Sequence, residues 1–276
     1  MKISRRDFIG IGAKGFLGGI IAYSSIPSLL RNLMPSDGVT RSAPVANRTE
    51  YDWEKHYWGF VCDNERCIGC GRCVVACKLE NKVPWEPEYN RTWVERYVIS
   101  EDGGIFVDSP NAGRDGFEAE YRNLKYRDLE VRISFFVPKL CNQCDNPPCV
   151  TVCPVGATYM TEDGVVLVDQ EHCIGCRYCI QACPYGARFI LPDSSETHFG
   201  QARVVDKCTW CYHRITRGLL PACVEVCPVG ARVFGDLRDP GTQVRKILRE
   251  KRIYVLKPTL GTEPKVYYIG FEKGVR

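Results

Sequence analysis

The spacing of the cysteines constrains this chain more than any other feature of its sequence. All of the 17 cysteines except Cys62 fall into quartets, each opening with two cysteines separated by two residues and closing with two separated by three. The quartets, in chain order, are Cys67, Cys70, Cys73 and Cys77; Cys141, Cys144, Cys149 and Cys153; Cys173, Cys176, Cys179 and Cys183; and Cys208, Cys211, Cys223 and Cys227. This repetition indicates one kind of site built four times.

The spacing predicts iron-sulfur chemistry. Three closely spaced cysteines can hold one [4Fe-4S] cluster, while the fourth ligates the other cluster of a pair. Zinc sites instead combine two separated Cys-x2-Cys pairs around one ion, and these quartets are too crowded for that arrangement. Disulfide frameworks belong to small domains with a higher cysteine density than 17 in 276 residues. Four [4Fe-4S] clusters are therefore the predicted cofactors, and Cys62 is expected to be a small buried side chain.

The residues after each quartet predict the local backbone. Cys153, Cys183 and Cys227 are each followed by Pro-x-Gly-Ala. Proline stops the short helix that is expected to carry the cysteine, and glycine permits the turn that follows. Cys77 is followed by lysine instead, so its helix is expected to continue to about Glu80.

Charge and motif context exclude two classes of partner. The formal net charge of +4 counts every cysteine as neutral. An oxidised cluster with four thiolates carries about two negative charges, so the loaded protein should be acidic overall. No basic stripe with interleaved aromatic residues indicates a nucleic-acid partner. The Gly-x-Gly-x-x-Gly run from Gly10 to Gly15 follows no predicted strand, so no nucleotide site is expected either.

The first 34 residues predict where the cell places the protein. Arg5 and Arg6 open a weakly hydrophobic, glycine-rich stretch, which is typical of a twin-arginine export signal. Lys14 and the glycines make the stretch a poor membrane-spanning helix, although it could persist as an N-terminal anchor. Residues 35–55 are rich in polar residues and proline and are expected to be a linker.

The segments around the quartets predict a mixed α and β scaffold. The expected elements are strands at 57–61, 93–99 and 131–137, the last ended by Pro138, a hairpin within 159–169, a helix at about 242–251 and a strand at 266–271. The four histidines, which form no cluster and are expected to be structural or at the surface, are His56, His172, His198 and His213.

Residues 89–138 form an insert without cysteines, and two interpretations of it remain open. Charged stretches usually face water, which favours a solvated loop. Arginine and aromatic residues are favoured at interfaces, which favours docking of a partner. The aromatic residues behind the second interpretation are Trp93, Tyr97, Tyr121 and Tyr126.

Three local motifs carry a resemblance to a known family. They are Cys-Asn-Gln-Cys-Asp-Asn-Pro-Pro-Cys at 141–149, Lys-Cys-Thr-Trp-Cys at 207–211 and Gly-Thr-Glu-Pro at 261–264. With the four quartets in this order, the chain resembles, over about residues 56–272, the four-cluster iron-sulfur subunit of membrane-bound respiratory oxidoreductases. That family includes polysulfide, tetrathionate and dimethyl sulfoxide reductases, formate-dependent nitrite reduction and the menaquinol-oxidising complexes of sulfur metabolism.

The resemblance implies an α+β fold of two tandem bacterial-ferredoxin-like 2[4Fe-4S] modules. An outer module would combine residues 56–88 with 204–238, and an inner module would span 139–203. The β-containing insert would occupy 89–138, and a C-terminal helix and strand extension would occupy 239–276.

The resemblance also implies which cysteines share a cluster. The implied sets are Cys67, Cys70, Cys73 and Cys227 for cluster 1; Cys77, Cys208, Cys211 and Cys223 for cluster 2; Cys141, Cys144, Cys149 and Cys183 for cluster 3; and Cys153, Cys173, Cys176 and Cys179 for cluster 4. Spacing alone leaves open the alternative in which the first quartet pairs with the second and the third with the fourth. The long gap between Cys77 and Cys141 disfavours that alternative.

The implied function is electron transfer without catalysis. The chain would relay electrons, on the extracytoplasmic face of the membrane, between an integral-membrane quinone-binding subunit and a catalytic or cytochrome subunit. The catalytic subunit would be of the molybdopterin or heterodisulfide-reductase-like type. Two alternatives are a soluble polyferredoxin that shuttles electrons between partners and a catalytic iron-sulfur reductase.

Overall fold

The structure is a computed structural model that describes residues 51–119, 122–123, 125–192, 203–270 and 275. The predicted export signal or anchor, most of the linker, Tyr121 and His198 lie outside these residues. Within the described ranges, no helix is long and apolar enough to cross a membrane.

A three-stranded sheet forms the centre of the scaffold. Strand β1 (Trp58–Asp63) lies between β9 (Arg232–Asp236), to which it is antiparallel, and β10 (Val266–Ile269), to which it is parallel. Phe60, Val61 and Cys62 in β1 are fully buried, so the strand is covered on both faces. Cys62 is therefore a core side chain, as the sequence predicts. The C-terminal strand thus pairs with the strand that leads into the first quartet.

Helix α6 (Gln243–Glu250) packs against this sheet. Its apolar side chains Val244, Ile247 and Leu248 meet Val61 and Val233 in a small hydrophobic cluster. The predicted helix and its apolar face are confirmed, and Thr242 caps its first turn by accepting a hydrogen bond from the backbone N–H of Arg245.

The insert folds as a second sheet in the order β3 (Ile105–Asp108), β2 (Thr92–Ser100) and β4 (Val131–Leu140). The prediction that Pro138 ends the last strand is wrong, because β4 continues to Leu140 and Pro138 pairs with Val94. The strand lies at the edge of its sheet, where the missing N–H of a proline need not interrupt the ladder.

The insert also has its own core, although most of the described residues of its charged stretch, 114–132, are exposed. Tyr97 and Tyr126 are buried, and the buried Arg96 guanidinium makes two hydrogen bonds to Asp108, of 2.9 and 2.8 Å. The same guanidinium lies 4.9 Å from the ring centroid of Tyr126. Tyr97 and Tyr126 therefore stabilise the insert itself and are not available to anchor a partner.

Two-stranded hairpins and short helices surround the remaining cysteines. One hairpin joins β5 (Thr158–Met160) to β6 (Val166–Val168), as predicted, and the other joins β7 (Arg188–Ile190) to β8 (Val205–Lys207). The helices are α1 (Arg72–Asn81), α2 (Pro148–Thr151), α3 (Tyr178–Ala182), α4 (Tyr212–Ile215) and α5 (Ala222–Glu225). The first is the longest of the five and passes Glu80, which confirms the prediction made from Lys78.

Candidate iron-sulfur cluster sites

The four quartets share one backbone turn. In each of them the residue just before the second cysteine has a positive φ, of 66° at Gly69, 46° at Gln143, 67° at Gly175 and 53° at Trp210. Successive N–H groups around such a turn point into a concavity that favours an anion. In the fourth quartet the N–H of Trp210 reaches the Sγ of Cys208 at 3.4 Å. The third cysteine of every quartet then lies in a helix.

A second shared turn follows the closing cysteines. The glycines of the three Pro-x-Gly-Ala runs, Gly156, Gly186 and Gly230, have φ values of 67°, 61° and 61°, as expected for residues chosen for that conformation. The turn aims backbone donors at sulfur, because the N–H of Ala231 lies 3.3 Å from the Sγ of Cys227. Hydrogen bonds to the sulfurs are one of the factors that set the potential of an iron-sulfur cluster.

The first quartet and the end of the fourth share a cavity. Its thiols are those of Cys67, Cys70, Cys73 and Cys227. Val94 and Pro138 from the insert line the same cavity, together with Arg232. The insert sheet is thus part of the wall of this site.

The remainder of the first and fourth quartets meets beside α1. The amide nitrogen of Asn81 lies 3.6 Å from the Sγ of Cys77 and 3.6 Å from the Sγ of Cys211. Burial raises the pKa of Cys77 well above its ordinary value, and the nearby thiols of Cys208, Cys223 and Cys211 raise it further. Trp210 is also buried here, and its ring meets the edge of Phe234 at 5.5 Å, so it keeps water from these thiols.

The second quartet shares a cavity with the end of the third. Its thiols are those of Cys141, Cys144, Cys149 and Cys183, and Arg188 lies in its wall. Fewer contacts connect the thiols of the remaining set, which is Cys153, Cys173, Cys176 and Cys179. Cys179 is close enough to Cys173 for that thiol to be one cause of its raised pKa, after burial, and α3, which carries Cys179, packs against α2, which precedes Cys153. Cys176 is exposed on the loop between Cys173 and α3.

The arrangement of the thiols fits a cluster better than a single ion. At a tetrahedral zinc site with Zn–S bonds of about 2.3 Å, the sulfurs stand about 3.8 Å apart. In the part of the chain that the structure describes, no three Cys, His, Asp or Glu side chains converge closely enough to hold one ion. The thiols of the implied sets 1 and 3 each line a cavity instead, which is the arrangement that a cube of iron and sulfide requires.

The buried cations also indicate anionic groups beside the cysteines. Three of the other buried cations have carboxylate partners, in the ion pairs Arg96–Asp108, Lys139–Glu95 and Lys265–Asp145. Buried Lys78 donates instead to three backbone carbonyl oxygens. Beside the thiols, the buried cations Arg188, Lys207 and Arg232 have no carboxylate partner among the described residues. Buried charges are normally paired, so the donor set at these sites suits a bound anionic cluster.

Sequence analysis missed these cations and Asn81. One signal was present, because the third and fourth quartets both close with Cys-Pro-x-Gly-Ala-Arg, which places Arg188 and Arg232 at the same distance from their cysteines. The second quartet has Thr158 at that position. The described histidines His56, His172 and His213 each contact a carboxylate, that of Asp236, Asp169 and Glu80 respectively.

Comparisons with known proteins also indicate [4Fe-4S] clusters. Family models described as 4Fe-4S dicluster domains match residues 66–157 and 132–237. A subunit of tetrathionate reductase from Salmonella typhimurium is 43% identical over 79% of this chain and 74% of its own length. A component of polysulfide reductase from Wolinella succinogenes is 37% identical over 79% of this chain and 96% of its own. The Hdr-like menaquinol oxidoreductase iron-sulfur subunit 1 of Archaeoglobus fulgidus is 36% identical over 78% and 84%.

This protein belongs to the family of reductase iron-sulfur subunits. Two dicluster domains amount to four [4Fe-4S] clusters, which is the cofactor content predicted from the quartets. The matched stretches overlap, and neither contains both Cys67 and Cys227. The meeting of the first and fourth quartets is therefore a property of the whole fold and not of either stretch.

Proposed function

We propose that this protein is the extracytoplasmic electron-transfer subunit of a respiratory oxidoreductase complex. It would relay electrons between a quinone-binding membrane subunit and either a cytochrome subunit or a catalytic one of the molybdopterin or heterodisulfide-reductase-like type. The support is that relatives are named as one component of tetrathionate or polysulfide reductase, and that one relative is named as part of a menaquinol oxidoreductase. The chain itself would not be catalytic, because its quartet cysteines are all committed to clusters.

The four ligand sets follow the cysteines that lie together. Cluster 1 would take Cys67, Cys70, Cys73 and Cys227; cluster 2 Cys77, Cys208, Cys211 and Cys223; cluster 3 Cys141, Cys144, Cys149 and Cys183; and cluster 4 Cys153, Cys173, Cys176 and Cys179. The shared cavities of sets 1 and 3 support this choice over the pairing of adjacent quartets. The contact of Asn81 with both Cys77 and Cys211 supports set 2.

The observation that carries the relay is the exposure of the thiols. Cys70 of set 1 and Cys176 of set 4 are exposed, whereas every cysteine of set 2 is buried. Each exposed thiol follows an exposed isoleucine, Ile68 or Ile174, which are 56% and 64% exposed. A relay needs accessible end clusters and insulated inner ones, so sets 1 and 4 are the proposed points of entry and exit.

The residues of the chain perform three tasks in this relay. Each bound cluster supplies one-electron chemistry. The cysteines fix the clusters, the positive-φ turns direct backbone N–H groups at the sulfurs, and Trp210 excludes water from set 2. Pre-organised donors and low exposure limit the rearrangement that accompanies a change of charge.

Anaerobic purification with metal analysis tests the proposal. The expected result is about 16 irons and about 16 sulfides per chain, from four cubes of four each, and oxidation of all four reduced clusters by the partner subunit. Cys77→Ser should damage the cluster held mainly by the fourth quartet, and Cys70→Ser the cluster held mainly by the first. Stoichiometric zinc, or damage by Cys77→Ser confined to the cluster of Cys67, Cys70 and Cys73, would contradict the assignment.

The proposed location has a separate test. The twin-arginine route exports folded proteins, so it suits a chain whose clusters are assembled before export. Replacing Arg5 and Arg6 together by lysine should leave a cluster-loaded protein inside the cell, as measured by fractionation and visible absorbance. Unchanged export of the double variant would remove this part of the proposal.

A further inference from the structure

Three buried cations lie where the proposed ligand sets meet. Arg232 is the first of them. It is 3% exposed, donates from Nη2 to the hydroxyl of Thr92 at 2.8 Å, and lies in the wall of the cavity of set 1. Its Nη1 is buried without a hydrogen-bond partner among the described groups. Burial acts to lower the pKa of Arg232, but the thiols of Cys73, in set 1, and Cys223, in set 2, raise it well above its ordinary value.

Lys207 is the second cation and is fully buried. Its ammonium donates to the backbone carbonyl oxygen of Cys208 at 2.8 Å and to that of Val166. The thiols of Cys141, in set 3, and Cys208, in set 2, raise the pKa of Lys207, although burial lowers it by more. Val166 lines the cavity of set 3 and Cys208 belongs to set 2, so the ammonium lies between these two sets.

Arg188 is the third cation and is 4% exposed. Its Nη2 lies 2.9 Å from the Sγ of Cys149, and its Nη1 donates to the hydroxyl of Thr158 at 3.2 Å. Cys149 belongs to set 3, and the arginine also interacts with Cys179 of set 4. The guanidinium therefore adjoins thiols of sets 3 and 4.

We propose that Arg232, Lys207 and Arg188 are junction cations, one between each pair of successive clusters, and that each holds up the reduction potentials of both clusters beside it. The inference rests on the proposed ligand sets and goes beyond them, because it assigns a role to residues that bind no iron. These are positioning residues for charge and not ligands.

The physical reason is the effect of one buried charge on two neighbouring sites. An electron added to either cluster makes that cluster more negative, and a nearby positive charge in a medium less polar than water stabilises the added charge. The same cation offsets the repulsion between electrons held by both neighbours at once. A series of closely spaced clusters would otherwise become harder to reduce with each electron that it accepts.

Pairing with a carboxylate separates Arg91 from the junction cations. The Nε of Arg91 lies 2.8 Å from the Oδ2 of Asp206, so its charge is already compensated although Cys77 and Cys208 are close. The three junction cations donate instead to hydroxyls, carbonyl oxygens or sulfur, which leaves their charge available to the clusters.

The test is a potentiometric titration of anaerobic holoprotein followed by electron paramagnetic resonance. Cys70→Ser and Cys176→Ser mark the signals of clusters 1 and 4 for assignment. Arg188→Gln should lower the reduction equilibrium constants of clusters 3 and 4 by about tenfold, or about 59 mV for one electron, and shift clusters 1 and 2 less. Lys207→Gln should lower those of clusters 2 and 3, and Arg232→Gln those of clusters 1 and 2. Arg188→Lys should restore most of the potential, because it keeps the charge.

Arg96→Gln is the matched control, since it removes a buried cation that is paired with Asp108 inside the insert. It should cost stability without moving any potential. A variant that keeps its iron and its four signals but shows unchanged potentials overturns the proposal, as does an equal shift in Arg188→Lys and Arg188→Gln. If Arg188→Gln does not retain iron, Lys207→Gln decides the matter, because the hydrogen bonds that Lys207 donates to described residues go to backbone oxygens. Fewer than four reducible centres in the unaltered protein would instead overturn the ligand sets.

Discussion

The two proposed cluster modules have similar cysteine spacing, but their cysteines are buried to different extents. In the first and fourth quartets, Cys73, Cys77, Cys208, Cys211 and Cys223 are buried, whereas in the second and third only Cys144 and Cys179 are. The outer module is backed by the three-stranded sheet of β1, β9 and β10 and by α6. The inner module has the β5–β6 hairpin and β7, whose partner β8 lies outside it. Isolated hairpins are marginal in water, so the inner module should depend more on its clusters for its structure.

Removal of the iron should have the largest effect on the difference between the two modules. Anaerobic chelation should reduce protection from amide hydrogen exchange more in 139–203 than in the outer sheet, because β5, β6 and β7 there belong to two-stranded sheets, although Val165 and Leu167 pack into the main core. Strands β1, β9 and β10 should keep measurable protection through their buried core. Exchange measured by mass spectrometry before and after chelation gives the answer. Equal loss in the two regions would show that the outer sheet is no more independent than the inner hairpin.

Substitutions at two equivalent positions, one in each module, test the same difference in packing. The residue after the second cysteine is Gly71 in the first quartet and Arg177 in the third, and both have a positive φ, of 72° and 66°. A Cβ on Gly71 would stand 2.2 Å from the carbonyl oxygen of Arg114, because the insert packs closely on this loop. Arg177 has room for a side chain since the equivalent loop is exposed.

Gly71→Ala should therefore destabilise the protein by about 2 to 3 kcal/mol, from left-handed strain together with displacement of the insert. Arg177→Gly relieves strain but adds freedom to the unfolded chain, so it should change stability by less than about 1 kcal/mol. Guanidinium unfolding of the anaerobic holoprotein, followed by visible absorbance, measures both. A Gly71→Ala variant as stable as Arg177→Gly would mean that the insert does not pack against the cluster loop.

The sequence predicted the features that depend on local chemistry. The cofactor content followed from the quartets, the length of α1 from Lys78, and α6 from the spacing of Val244, Ile247 and Leu248. It could not predict that β10 pairs with β1, since pairing between distant strands depends on the packing of the complete chain. It also misjudged Tyr97 and Tyr126, because composition alone does not distinguish an aromatic residue in a small core from one at an interface. The positive φ at Gln143 and Trp210 was invisible for a similar reason, as neither residue type predicts that conformation.

The prediction with the smallest expected effect concerns α6, which packs on the sheet of the outer module. Thr242 caps α6 by accepting from the N–H of Arg245 and also donates its hydroxyl hydrogen to the carbonyl oxygen of Asp236, 2.8 Å away, at the end of β9. Thr242→Ala should cost about 1 kcal/mol, the usual effect of losing such a cap. The loss should appear as faster amide exchange in α6 and β9, while exchange in 139–203 stays unchanged, because α6 packs on the outer sheet. Thr242→Ser, which retains the hydroxyl, is the matched control and should behave like the unaltered protein. Faster exchange in β5 and β6 of the alanine variant would show that the two modules unfold as one cooperative unit, in which case their difference in burial would not translate into a difference in stability.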